Sequence, residues 1–200
     1  SHEEEIDLSG AESWMLLSRS KFFLTRFKRI CHQQGYAYKM FGASSTDTSE
    51  TRAIISWEGL RKGKKLTVSE AKNLIQFIPA KINLPELQSY GLKDFGLMES
   101  ANQHDWMTML RSIAPDEREY LRACLHNGEK FGEEPRIIIS TIHQVKGGEA
   151  DNVVLVTDMG GLSWKASTTD EEIRVWYVAA TRARKNLFLV RARTLKFFDM

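Results

Sequence analysis

The stretch IISTIHQVKGGEADNVVLV, residues 138–156, runs apolar, then polar and glycine-rich, then apolar again. Its flanks read as buried strands, since continuous Val/Ile/Leu runs mark the central strands of a parallel sheet. The loop between them carries a hydroxyl (Thr141), an imidazole (His143), an ammonium (Lys146) and a carboxylate (Glu149). A loop at the carboxyl ends of parallel strands is where open α/β sheets place their ligands.

Working outward, residues 13–20 have a strand-like apolar centre. Phe23, Phe27, Ile30 and Cys31 then recur at helical spacing, and Gly35 supplies the stop. Residues 36–41 read as a second strand. Strand, helix and strand together predict a parallel pair joined by a right-handed crossover. The middle of the chain reads differently. Ile54, Trp57 and Leu60 share one helical face, and Thr67 to Glu70 spells a capping box. Trp106, Met109, Leu110 and Ile113 predict another helix, and Pro115 opens a further one that Gly128 ends. After residue 135 strands return. Thr169 to Glu172 spells a second capping box, Ile173, Trp176, Tyr177 and Ala180 mark one helix face, and residues 186–192 read as the last strand. The pattern predicts an α/β frame formed by 1–42 and 135–200, interrupted by an all-helical segment at 43–134.

The chemistry of the polar loop narrows by exclusion. His143 has no partner at metal-ligand spacing, and the chain has no HExxH and no Cys pair, so no metal site is expected. Ser140 and Thr141 sit at a strand end without a GxSxG elbow, which speaks against a nucleophilic triad. A Walker A loop, GxxxxGK[ST], is missing. The nearest decoy, GLRKGKK at 59–65, has its glycines one residue too close and lacks the Ser/Thr. What remains is recognition of phosphate and sugar. Thr141 and His143 can donate to phosphate oxygens, Lys146 is a point charge, and Glu149 can accept from a sugar hydroxyl.

Two blocks carry a resemblance. STIHQVKGGEADNVVLV resembles motif V of the UvrD-like superfamily 1 helicases, roughly T-x-H-x-x-K-G-x-E-x-x-x-V. DEEIRVWYVAATRARKNLFLV, residues 170–190, resembles their motif VI, roughly E-E-x-R-x-x-Y-V-A-x-T-R-A. Both stand in the family's order and spacing. WMLLSRS with GYAYKMFG is similar to the family's L-x-R-[ST]-N and G-x-x-Y segment. The resemblance implies a RecA-like parallel sheet flanked by helices, a P-loop NTPase-type motor domain without Walker motifs. In the family this is the 2A domain, and 43–134 occupies the place of its 2B insertion.

The resemblance also implies roles. Arg182 is the arginine finger that reaches the γ-phosphate of ATP, an always-charged fork that stabilises charge developing in phosphoryl transfer. Its plain alternative is a cation near a helix C-terminus. Glu149 accepts from the nucleotide ribose, and Gly147 belongs to the same nucleotide-facing frame. Where the family commonly has a bulky apolar residue, this chain has Gly148, which predicts a looser loop. Thr141, His143, Lys146 and Arg19 match residues near the single-stranded DNA track. Lys21 replaces the family's Asn and keeps affinity for phosphate. Trp164 and Lys165 lie where the family carries an F-P-H element, so Lys165 is assigned to phosphate and Trp164 to base stacking or packing. Glu172 and Arg174 are expected to tie the domain internally.

The implied partners are ATP with Mg²⁺ bound mainly by a separate 1A domain, that N-terminal 1A domain itself, single-stranded DNA and a duplex junction. Without the Walker lysine and carboxylates, the 200-residue chain alone is expected to be inactive as an ATPase. Net charge is only +2, so any basic surface must be local. Cys31 and Cys124 are isolated, which fits a reducing compartment, and no apolar run approaches the roughly 20 residues of a membrane span. A cytoplasmic protein of bacterial or phage type, not secreted, is expected, with no membrane partner. Ser1 in place of Met reads as a cleavage scar and predicts a fragment of a longer helicase. The rival readings are the 2A part of a helicase–nuclease, or a degenerate module kept for binding DNA or protein.

Overall fold

A computed structural model describes residues 6–97, 101, 103–145, 147–165, 168–191 and 194–199. In chain order the elements are β1 (Trp14–Ser18), α1 (Lys21–Gln34), β2 (Tyr38–Met40), β3 (Ala43–Ser44), α2 (Ser49–Arg61), β4 (Leu66–Thr67), α3 (Val68–Leu74), β5 (Ser89–Tyr90), α4 (Trp106–Met109), α5 (Pro115–His126), β6 (Ile137–Thr141), β7 (Ala150–Val156), α6 (Gly161–Lys165), α7 (Asp170–Ala180) and β8 (Ala183–Val190). They form two compact units, one from the chain up to Ser45 and from Glu134 onward, the other from Thr46–Glu133.

The first unit is a RecA-like α/β fold around a six-stranded sheet of order β3-β2-β6-β1-β7-β8. All neighbours are parallel except the β2–β3 hairpin. The strand–helix–strand reading needs one correction. β1 and β2 run parallel but are not paired, because β6 inserts between them, with Ile137 opposite both Trp14 and Tyr38. β6 is apolar throughout its first three residues, and a strand with a neighbour on each side buries both faces.

Alternation along β1 sorts the core into layers. Met15 and Leu17 join Val153, Leu155, Trp176 and Ala179 in one cluster, while Leu16 points to the opposite face, where α1 packs on β1 and β6. Phe23, Leu24, Phe27, Ile30 and Cys31 are the buried face of α1, and Gly35 ends it in the left-handed conformation at φ 70°. Trp176 also stacks on Phe198 at 4.9 Å.

The buried face of α7 differs from the sequence reading. Glu172, Trp176 and Ala179 are buried, whereas Ile173 and Tyr177 are exposed. The stripe is rotated by one residue because a carboxylate, Glu172, has an arginine partner inside. The last strand starts at Ala183, three residues earlier than expected, so β8 follows α7 after only a two-residue turn.

In the second unit Trp57, Leu66, Leu74, Leu110, Ile113 and Leu121 are buried. Thr67 and Glu70 form the expected capping box. The helix expected through Ile113 stops at Met109. Leu110 leaves helical geometry at φ −95°, ψ 53°, and Ala114 is held extended ahead of Pro115. Besides its helices the unit holds a small antiparallel pair, Leu66–Thr67 with Ser89–Tyr90. Burial pushes the Cys124 thiol up to about 12, and Cys31 is buried as well.

Candidate functional site

β6 delivers the chain into the polar loop, and two apolar residues pin that loop down. Ile142 and Val145 are buried, and His143 and Gln144 between them are exposed on a 3-10 turn. Thr141 is only 7% exposed, and its Oγ1 donates to Gln144 Oε1 at 3.0 Å. That bond fixes the Gln144 side chain and leaves its NH₂ as a donor. Gly147 takes φ +78°, which an L side chain rarely adopts.

Gly148 does not make the loop loose. A Cβ built on it would lie 2.8 Å from Met15 Cε, so the Met15 side chain fills the space a larger residue would need. A bulkier residue would fit only with Met15 moved aside. Lys146 lies outside the described residues.

The turn after α7 meets this loop at several points. Arg182 lies in the turn, beyond the helix end. Its Nε donates to the Val178 carbonyl at 2.9 Å and a terminal nitrogen to the Gly148 carbonyl at 3.3 Å. Its own carbonyl accepts from the Ala150 N–H at 3.0 Å. Two residues on, Arg184 Nε donates to Glu149 Oε2 at 3.1 Å. Lys185 Nζ lies 3.3 Å from Asp151 Oδ1. The Ser13 N–H, then the Ser13 hydroxyl and Lys185, hold the Asp151 carboxyl down at about 2. Basic residues 182, 184 and 185 thus close over positions 148, 149 and 151. Sequence reasoning missed Arg184 and Lys185. Local sequence carries no signal for them, because the two are consecutive and fall in the register shift between the Ala150/Ala183 and Asn152/Asn186 pairs, which brings them to Glu149 and Asp151 only once β7 and β8 are paired.

Arg19 is placed differently. Its Nε and a terminal nitrogen reach the two Glu172 carboxylate oxygens at 2.8 and 3.1 Å. The pair is largely buried, with side chains 20% and 6% exposed, and joins the end of β1 to the start of α7. The carboxylate that a capping box would turn back to its N-cap is turned to Arg19 instead. Glu172 therefore ties the unit internally, as expected, and Arg19 is its partner.

A cleft of about 430 Å³ gathers His143, Gly147, Arg174 and Arg182 over Val145 and Val175. Lys21, Trp164 and Lys165 do not line it. Lys21 is exposed at the start of α1, and Trp164 (39% exposed) and Lys165 end the short α6. Among the described residues no group of three or more His, Cys, Asp or Glu side chains could hold a metal ion. Nor is any helix among them long and apolar enough to cross a membrane.

The fold and this loop–turn arrangement define an α/β domain in which Arg182, Arg184 and Lys185 meet positions 148, 149 and 151 at the amino ends of β7 and β8. A family model described as the UvrD-like helicase C-terminal domain matches residues 95–194, half of the 200-residue chain. The chain belongs to that family. No curated protein matches it.

Proposed function

We propose that this chain is the 2A half of an ATP-dependent DNA translocase, offering Arg182 and Glu149 to ATP bound on a Walker-bearing 1A domain. The observation that supports it best is the way these two groups are held. Arg182 rests on two carbonyl oxygens, and Glu149 rests on a solvent-exposed arginine. Both are exchangeable contacts on one loop–turn joint. A γ-phosphate is a stronger acceptor for a guanidinium than a carbonyl. A ribose hydroxyl can replace Arg184 at Glu149. ATP with Mg²⁺ held by 1A would supply the phosphoryl group, and the residues here would bind and orient it.

On the nucleic-acid side, His143 and the Gln144 amide positioned by Thr141 face the backbone of single-stranded DNA. Lys146, Lys21 and Lys165 add charge for phosphate, and Trp164 adds an aromatic surface. Such contacts fix position without reading sequence. Arg19 acts on this surface indirectly, through the Glu172 pair that sets α7. Because Arg182 and Gly148 are bonded, movement of the finger is transmitted to the loop that carries Glu149 and, beyond it, His143. The Thr46–Glu133 unit stands in the position of the family's 2B insertion.

The test is DNA-stimulated ATP turnover in a protein that combines this chain with its Walker-bearing domain. Arg182→Ala should lower turnover by roughly 10³-fold or more while ATP binding persists. Arg182→Lys should not restore it, because a point charge lacks the planar fork. Unimpaired turnover would remove the finger from the account.

A further inference from the structure

We infer that Phe41 is a base-stacking wall for single-stranded nucleic acid, set at the end of a groove that continues the Thr141–Gln144 loop. The inference rests on the DNA-facing reading above and adds a residue that neither motif contains. Four observations carry it.

The first is conformational. Phe41 and Gly42 form the two-residue loop between the paired residues Met40 and Ala43, with φ of 51° and 86°. Positive φ at both positions is the signature of a type I′ turn, which favours Asn-Gly or Gly-Gly. Phe41 is the one non-glycine residue with positive φ among the described residues. A bulky residue in that region is strained, and such strain concentrates at binding sites.

The second is exposure. Phe41 is 46% exposed, although a turn tip gains nothing from an aromatic in terms of core packing. The third is charge. Lys21 Nζ lies 5.2 Å from the ring centroid, so a cation covers one face and a ligand can take the other. The fourth is the groove. Phe41 lines a concavity of about 410 Å³ that runs along β2 and β6, from Lys39 and Glu134 past Ile138 and Ser140 to Gln144. Gln144 is the residue that Thr141 holds, so the groove opens on the proposed phosphate contacts. An aromatic beside a lysine, next to backbone-binding donors, is the composition by which proteins hold single strands without sequence preference.

The test uses the 200-residue chain with two fluorescent probes of equal length, an oligothymidylate and its abasic counterpart. The wild type should bind the oligothymidylate more tightly than the abasic strand. Phe41→Asn suits the left-handed turn, so its thermal midpoint should equal or exceed that of the wild type. It should nevertheless lose roughly 10-fold in oligothymidylate affinity, with little change on the abasic strand and an unchanged salt slope. Phe41→Trp should keep the preference for bases. If Phe41→Asn binds both probes as the wild type does, the stacking wall is overturned. Equal wild-type affinity for the two probes overturns it as well and leaves the DNA-facing reading standing. If the wild type binds neither probe, that reading fails and this inference fails with it.

Discussion

Two arginine–carboxylate clasps hold this site, and they are built for opposite purposes. Arg19–Glu172 is bidentate and largely buried, with side chains 20% and 6% exposed. Arg184–Glu149 has a single bond and is open to water, with side chains 59% and 51% exposed. The chemistry is the same and the environment decides the role. A buried carboxylate stripped of its partner stays uncompensated, whereas an exposed one is rehydrated at once. The buried clasp therefore fixes α7 against β1, while the exposed one can open at little cost, as the proposed ribose contact of Glu149 requires.

The largest expected effect comes from breaking the buried clasp. Arg19→Leu or Glu172→Leu alone should destabilise the fold by about 3 kcal/mol, because each leaves a charge buried without its partner. That corresponds to a fall of roughly 10 °C in thermal midpoint. The double variant Arg19→Leu/Glu172→Leu should recover most of the loss. Additive single effects in thermal denaturation would mean the pair is not coupled.

Opening the exposed clasp should be nearly silent in stability. Arg184→Ala is expected to change it by no more than about 0.5 kcal/mol, since exposed ion pairs contribute little. In the ATP-hydrolysing protein the same variant should lower the KM for ATP by up to about 2-fold, as Glu149 no longer has to be drawn from Arg184. A raised KM would show that Arg184 presents Glu149 to the ribose instead of withholding it.

The smallest effect belongs to a third contact, Asp151 with Ser13 and Lys185. Its carboxyl is lowered from the ordinary 3.8 to about 2, so its contribution is complete above about pH 4 and is lost as pH falls through 2. The stability difference between wild type and Asp151→Asn should accordingly shrink across that window in denaturant titrations. A constant difference would mean the carboxylate charge contributes nothing there.

Where local rules apply, the sequence was readable. Apolar spacing and Gly35 define α1, Thr67 with Glu70 caps α3, and the apolar runs define β6 and β7. The two motif blocks likewise brought Arg182 to the loop that holds Gly148 and Glu149. Long-range pairing was not readable. Nothing local says that β6 separates β1 from β2, since register between distant strands is settled by the assembled sheet. The buried face of α7 was misread because a pattern rule sends carboxylates outward, and Glu172 obeys a partner 153 residues away. Arg184 escaped notice for the same reason, since its meaning appears only when β8 lies beside β7. Phe41 was read as the end of a strand, and its positive φ has no signature in composition.

The central claim is that Arg182 leaves the Gly148 and Val178 carbonyls for the γ-phosphate, while the neighbouring exposed clasp is dispensable for chemistry. The most direct measurement is DNA-stimulated ATP turnover of Arg182→Ala beside Arg184→Ala, with thermal midpoints taken on the same preparations. The account predicts a loss of roughly 10³-fold or more for Arg182→Ala, near-normal turnover for Arg184→Ala and little change in either midpoint. Turnover by Arg182→Ala at the wild-type rate would contradict it.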